Sequence, residues 1–184
     1  MRGRTLLMLA VLTLAAACAR TPGTPKPDVP FVVTDFEVVD EMLKVAKVTK
    51  DDVLYDLGSG DGRIVIRAAE RFGTRGTGID IEPKLVQQAT RNARWAGVSD
   101  RVTFVQGDLF AADISEATVV TLYLLPEVNL KLRPKLLREL KPGTRVVSHN
   151  FDMGDWKPEK TSYVTISGAW HVVYFWVIPP RADR

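Results

Sequence analysis

The chain has 184 residues, of which 46% are hydrophobic and 26% are charged, a composition that suits one globular domain with a sizeable core. Its net charge of +3 falls almost to zero when Arg2 and Arg4 of the N-terminal segment are set aside, so there is no electrostatic reason to expect a nucleic-acid partner. One cysteine excludes an intrachain disulfide, and with two histidines it makes no clustered ligand set for a structural zinc ion, so no metal site is expected.

Residues 1–17 have the layout of an export signal, with two arginines, an apolar run and then small residues that lead to Cys18. As a helix, the apolar run would span about 20 Å, short of the roughly 30 Å hydrocarbon core of a bilayer, which disfavours a membrane-spanning helix. Residues 15–18 resemble a bacterial lipobox, in which the cysteine receives a lipid, and a proline-rich linker follows directly.

This pattern predicts three parts of the chain: a lipoprotein-type signal peptide at 1–17, a linker at 18–29 that begins with a lipidated Cys18, and a folded domain at 30–184. A lipid on Cys18 would make the membrane a partner and the protein membrane-associated. The alternatives are a signal of another kind and a start site assigned too early for a cytoplasmic protein.

After residue 30 the apolar residues alternate between helical and strand periodicity, which predicts an α/β fold with a parallel sheet and helices on both faces. The first helix is expected to begin at a capping box at 34–37. The later elements are expected, in chain order, to be strand 53–57, helix 64–72, a strand ending at 80, a helix between 83 and 97, strands 101–106 and 118–124, helix 127–140, strand 145–149 and an antiparallel pair at 163–166 and 170–178. The apolar stretch 172–178 is expected to be buried on both faces.

The strongest motif is the turn after the first strand, where an acid, Asp56, is followed by glycines on alternate positions up to Gly62. A dinucleotide-binding turn would carry its third glycine at position 63, which Arg63 occupies. The spacing D-x-G-x-G-x-G resembles motif I of class I S-adenosyl-L-methionine-dependent methyltransferases. The simpler alternative is a tight turn between a strand and a helix.

That resemblance implies a Rossmann-like class I methyltransferase sheet, mostly parallel with an antiparallel closing strand, and S-adenosyl-L-methionine as the cofactor. In the family, the acid at the position of Asp56 helps to hold the ammonium group of the cofactor. The turn residues that would pass beside the amino-acid end of the cofactor are Gly58, Ser59 and Gly60.

Two further acids end the next two predicted strands. A carboxylate at Asp80 could accept both hydrogen bonds from the vicinal hydroxyls of a ribose. The resemblance assigns Asp80 that role, lets Ile81 pack on the adenine, and assigns Asp108, with its neighbour Leu109, to the adenine amino group. The alternative for Asp80 is a favourable charge at the start of the following helix.

Five segments in order resemble a narrower group, the small protein-lysine methyltransferases that modify the c-subunit of ATP synthase and the adenine nucleotide translocase, with their bacterial relatives. The segments are 30–34, 56–65, 107–109, 141–148 and 155–158. The resemblance implies that a protein with an accessible lysine is the substrate. It also implies that residues 30–34 fold over the methionine end of the cofactor, with Thr34 among the binding residues; the alternative is a linker that ends in a helix cap.

Tyr123 and Glu127 lie at the end of the fourth predicted strand, where class I methyltransferases build the pocket for the methyl acceptor. They are therefore our candidates for the catalytic residues that orient the acceptor amine. The alternative is that Tyr123 is an ordinary strand aromatic and Glu127 a first-turn helix charge. We interpret His149 and His171 as strand-end and packing residues rather than catalytic ones.

The leading functional hypothesis is a protein-lysine methyltransferase that acts on a membrane-associated substrate. A second hypothesis keeps the cofactor and makes the acceptor a small molecule or an RNA. A third is a lipid-anchored module that binds the cofactor without turnover, because the cofactor is made in the cytosol whereas a lipobox directs a protein out of it.

Overall fold

Residues 31–181, which are the residues that this computed structural model describes, form seven strands and four helices. The strands are β1 (Val53–Leu57), β2 (Arg75–Asp80), β3 (Val102–Gln106), β4 (Val119–Leu122), β5 (Arg145–His149), β6 (Lys160–Ile166) and β7 (Ala169–Val177), and the helices are α1 (Phe36–Val45), α2 (Arg63–Phe72), α3 (Pro83–Trp95) and α4 (Pro126–Glu139). The predicted signal peptide, Cys18 and the linker lie outside the described residues. Within 31–181 no helix is both long enough and apolar enough to cross a membrane.

The strands form one sheet in the order β3-β2-β1-β4-β5-β7-β6. The first five are parallel to one another, β7 runs antiparallel to β5, and β6 pairs antiparallel with β7. This arrangement confirms the predicted mostly parallel sheet with an antiparallel closing strand. Because the parallel strands share a direction, their carboxyl ends meet at one edge of the sheet, which is where open α/β sheets bind ligands.

Two apolar clusters bury the two faces of the sheet. On one face the buried side chains of α1 and α2, such as Met42 and Val65, pack with Leu54 of β1 and Val147 of β5. On the other face Leu132 and Leu136 of α4 and Trp176 of β7 pack with the central strands. The helices form because their apolar residues recur three and four positions apart, and each gains stability by burying that stripe against the sheet.

The start of α1 differs from the predicted capping box. The helix begins at Phe36, the residue before it is Asp35, and no side chain caps its N-terminus. The N–H groups of Val38 and Val39 instead donate to the carbonyl of Asp35. The Thr34 hydroxyl that was expected to cap the helix lies within hydrogen-bond distance of His149, so a distant tertiary partner replaces the local one.

The closing pair also differs from its prediction. Strand β6 begins at Lys160 rather than at residue 163, and β7 begins at Ala169 rather than at 170. Of the stretch 172–178, only Val173, Trp176 and Ile178 are fully buried. The pair lies at one end of the sheet, where the helices cover it incompletely, so residues 172, 174, 175 and 177 stay half-buried.

Candidate active site

A cavity of about 450 Å³ opens at the carboxyl ends of the parallel strands, a size common for small-molecule sites. Its wall contains every residue predicted to bind the cofactor, namely Thr34, Asp56, Gly58, Ser59, Gly60, Asp80, Ile81, Asp108 and Leu109. Tyr123 is also part of the wall. Glu127 is not among the wall residues and is exposed in the first turn of α4, the position expected from its alternative interpretation.

The glycine-rich turn after β1 lets another segment of the chain lie directly against it. Gly60 has a φ of +54°, a left-handed conformation that favours glycine, and a Cβ atom there would collide with the ring of Phe31. Residues 31–34 therefore rest on the turn and form part of the cavity wall.

Arg63, at the start of α2, ties residues 31–34 to this turn. Its Nη1 donates to the carbonyl of Thr34 over 2.8 Å, and its Nη2 pairs with Asp61 over 2.7 Å. Its guanidinium also lies 5.5 Å from the centre of the Phe36 ring. Arg63 stands where a dinucleotide-binding motif would have its third glycine. In this fold its side chain instead holds residues 31–34 over the cavity.

Asp56, at the end of β1, is almost completely buried, and Thr121 Oγ1 donates to its carboxylate over 2.8 Å. Burial, with smaller contributions from the charges of Asp80 and Asp61, raises the pKa of Asp56 to about 7. A buried carboxyl of this kind favours a cationic partner, because a positive charge beside it would offset the cost of removing the carboxylate from water.

Asp80, at the end of β2, is held in place by two backbone groups. One carboxylate oxygen accepts from the N–H of Gly60 over 2.8 Å, and the other accepts from the N–H of Glu82 over 2.9 Å. The bond from Glu82 lies just before α3. The carboxylate of Asp80 therefore also lies at the start of this helix, as its alternative interpretation expected. Each oxygen keeps a further lone pair that could accept from a ribose hydroxyl.

The far side of the cavity suits a flat apolar group with a polar edge. Asp108 accepts from the N–H of Phe110 over 2.8 Å, which fixes its carboxylate beside Leu109, and Ile81 lies in the same wall. The hydroxyl of Ser59 is buried and finds no hydrogen-bond partner among residues 31–181. A buried polar group without a partner is costly to the fold.

Behind the wall, His149 at the end of β5 contacts both Tyr123 and Thr34. The rings of Tyr123 and His149 have their centroids 3.9 Å apart, and His149 Nδ1 lies 3.3 Å from Thr34 Oγ1. The Nε2 atom of His149 lies 2.9 Å from Nδ1 of His171 on β7. Burial, followed by the charge of His171, lowers the pKa of His149 to about 4, so its imidazole is neutral at physiological pH.

Comparison with known proteins decides the family. A family profile described as the ANTKMT methyltransferase domain matches residues 56–160. The chain belongs to this family. Accordingly, it is a methyltransferase, and S-adenosyl-L-methionine is its methyl donor.

Individual relatives of this ANTKMT-type domain carry different names. A protein-lysine N-methyltransferase of Saccharolobus islandicus (strain REY15A) is 48% identical over 153 residues, which cover 83% of this chain and 95% of that protein. The ATP synthase C-subunit lysine N-methyltransferase of Homo sapiens is 32% identical over 150 residues, covering 82% of this chain and 64% of the human protein. A crystal structure of an RNA methyltransferase from Salinibacter ruber in complex with S-adenosyl-L-homocysteine is 61% identical, covers 83% of this chain and 97% of that chain, and has a TM-score of 0.77.

The residues of the ANTKMT-type cavity fit the methyl donor group by group. Asp56 is a buried carboxyl that would accept a cation, and Asp80 would hold vicinal hydroxyls. Individual roles for these residues stay predictions that rest on this fit.

Two residues of the ANTKMT-type site, Arg63 and His149, were not predicted from the sequence. In the sequence, Arg63 was noted because it excludes a dinucleotide-binding turn. His149 was interpreted as a strand-end and packing residue. Arg63 and His149 contact Thr34 from positions 29 and 115 residues away in the chain, respectively. A local sequence pattern therefore cannot predict these contacts. The one available signal for His149 was its place at the carboxyl end of a parallel strand, the edge where ligands bind.

Proposed function

We propose that this chain transfers a methyl group from S-adenosyl-L-methionine to a lysine side chain of a protein. The observation that carries the proposal is the uncharged wall at the end of β4, beside the residues that fit the methyl donor. Tyr123, Leu124 and Val128 make up this part of the wall. The names of the relatives from Saccharolobus and Homo sapiens support the same acceptor.

The chemistry of the acceptor explains why an uncharged wall is useful. When bound, the cofactor supplies an activated methyl group, so the protein has to align the nucleophile and exclude water. A lysine amine attacks only after it has lost its proton, and an apolar surrounding lowers the pKa of an ammonium group. The Tyr123 side chain would then orient the neutral amine through its hydroxyl.

RNA is the second candidate acceptor, because the similar protein from Salinibacter is described as an RNA methyltransferase. The charges of the described residues favour a protein instead. Arg67 and Arg71 both pair with Asp40, and Arg145 pairs with Asp52. An arginine already paired with a carboxylate has less to gain from a phosphate, and nucleic-acid binding normally needs a clustered basic face.

Label transfer distinguishes these acceptors. Purified protein would be incubated with tritium-labelled S-adenosyl-L-methionine and, separately, with soluble protein, detergent-solubilised membrane protein and total RNA. We expect label in protein, and mass spectrometry should map it to lysine. Label confined to RNA or to small molecules would replace the lysine assignment, and cofactor binding without any label transfer would favour the binding module.

We propose further that Cys18 carries a lipid that anchors the domain to a membrane. Support comes from the apolar N-terminal run, the lipobox-like residues 15–18 and the proline-rich linker that follows. Mass spectrometry of the native protein should find a chain that begins at a lipid-modified Cys18. A native chain that still begins at Met1 with a free thiol at Cys18 would contradict the anchor.

A further inference from the structure

Thr34, His149 and His171 form a line of polar groups that runs from the cavity wall to the surface. Thr34 lies in the wall, His149 is almost completely buried behind it, and His171 is half-buried on β7. Successive polar atoms lie 3.3 Å and 2.9 Å apart. Neither cofactor binding nor alignment of the acceptor requires two histidines in contact.

The inner end of this line lies where the two halves of the site meet. Thr34 was predicted to cover the methionine end of the cofactor, and Tyr123 was predicted to orient the acceptor. His149 contacts both residues, through Nδ1 and through the face of its ring. It therefore lies behind the point at which the proposed acceptor amine would approach the methyl group.

Each member of the line can both donate and accept a hydrogen bond, because a hydroxyl and a neutral imidazole each carry one proton and at least one lone pair. With the proton of His149 on Nε2, the Thr34 hydroxyl donates to Nδ1 and Nε2 donates to Nδ1 of His171. His171 is only half-buried, so the proton on its Nε2 can exchange with water.

We propose that Thr34, His149 and His171 relay to solvent the proton that the acceptor amine loses. The proposal rests on the proposed function, in which a lysine ammonium group gives up one proton before each methyl transfer. An N–H bond of the ammonium breaks as its proton passes to Thr34 Oγ1, and the hydroxyl proton moves to His149 Nδ1. The Nε2 proton of His149 moves to His171 Nδ1, and the Nε2 proton of His171 passes to water.

The relay is useful because the acceptor chain and the 31–34 segment would together close the cavity mouth to bulk water. After the product has left and water has filled the acceptor side, the same transfers run in reverse and restore the starting tautomers. Over one cycle the amine loses one proton, bulk water gains it, and the three side chains return to their original state.

The charges around His149 are compatible with this role. Among residues 31–181, the titratable side chains in ring or hydrogen-bond contact with His149 are Tyr123 from the end of β4 and His171 from β7. Of the three acids of α1, Asp40 pairs with two arginines, Glu41 contacts Ser162 and Lys44, and Glu37 is exposed. The lowered pKa of His149 leaves the Nδ1 lone pair available at physiological pH.

The test uses His171, because its side chain is half-buried and its loss should not unfold the core. His171→Ala should slow single-turnover methyl transfer to extract protein at pH 7 by roughly 10-fold, the lower end of what proton transfer contributes to catalysis. Its affinity for S-adenosyl-L-homocysteine should stay unchanged. Free imidazole in the buffer should restore the rate in a concentration-dependent way. Thr165→Ala, at an exposed position on β6, is the matched control and should show neither the loss nor the rescue.

The outcomes separate the relay from the proposed function. If the wild-type chain labels lysine and His171→Ala transfers at the normal rate from pH 6 to pH 9, the relay is wrong and the lysine assignment stands. A slow variant that imidazole does not rescue means that His171 only packs, which also overturns the relay. A wild-type chain that labels only a non-lysine acceptor overturns the proposed function, and with it the amine as the proton source.

Discussion

Asp56 is a buried carboxyl that would be most favourable next to a positive charge. Its pKa of about 7 means that it is partly protonated near neutral pH in the unliganded protein. Only the charged form attracts the ammonium group of the ligand, so affinity for S-adenosyl-L-homocysteine should fall as the pH drops from about 8 to about 6. Calorimetric titration across this range measures the effect. Asp56→Asn should bind weakly at every pH, and a variant with wild-type affinity would contradict the predicted role.

The same carboxyl should destabilise the unliganded fold at high pH. The folded pKa lies above the ordinary value of 3.8, so the stability tied to the neutral form is complete below about pH 4 and is lost as the pH rises through about 7. Asp56→Asn is neutral at every pH, and its free energy of unfolding at pH 8 should exceed that of the wild type by an amount of the order of 2–4 kcal/mol. Urea denaturation of both proteins at pH 4.5 and pH 8, without ligand, tests this, and a difference in stability between variant and wild type that is the same at both pH values would refute it.

Asp80 should contribute to ligand affinity through its two fixed carboxylate oxygens. Asp80→Ala removes the acceptors proposed for the ribose hydroxyls and should weaken binding of S-adenosyl-L-homocysteine by about 1–3 kcal/mol. Asp100→Ala, which truncates an exposed acid outside the cavity wall, is the control and should bind normally. NAD should not compete for the site at a similar concentration. Unchanged affinity in Asp80→Ala would remove the ribose assignment.

At the scale of the elements, α2 holds the 31–34 segment over the cavity through its first residue. Arg63→Ala removes the hydrogen bond to the Thr34 carbonyl and should raise the dissociation rate of S-adenosyl-L-homocysteine by roughly 10-fold, the equivalent of about 1.4 kcal/mol. Arg67→Ala is the matched control, because Arg67 lies one turn later in α2, contacts Phe36 and pairs with Asp40. Stopped-flow measurements should find faster release only in Arg63→Ala; equal rates in the two variants would show that the segment is held by other contacts.

At the scale of the whole molecule, positive and negative charges nearly balance, and several arginines are neutralised by neighbouring aspartates. Methyl transfer to a protein acceptor should therefore change by less than about 3-fold between roughly 50 and 200 mM salt. An acceptor held through several phosphate contacts would lose affinity by orders of magnitude over the same range. Initial rates measured across this range, below saturation by the acceptor, make the comparison, and a steep loss would favour RNA.

The sequence by itself determined the order of the elements and the cofactor edge of the sheet. Apolar periodicity and glycine positions are local properties, so strand β1 and strand β5 were predicted with the bounds that the structure has. Asp56 and Asp80 were placed correctly at strand ends, because a strand and the turn after it can be identified from a few adjacent residues. Parallel strands then bring their ends to one edge whatever the loops between them do.

Only the tertiary structure decided how Thr34, Arg63 and His149 are used. The local pattern made Thr34 a helix cap, whereas in the fold its hydroxyl lies beside His149 and its carbonyl accepts from Arg63. The contact between His149 and His171 exists because β5 pairs with β7, in a register that places Val173 opposite His149. These contacts depend on which strands are neighbours in the sheet. Because the contacting residues are far apart in the chain, the periodicity of the sequence does not predict them.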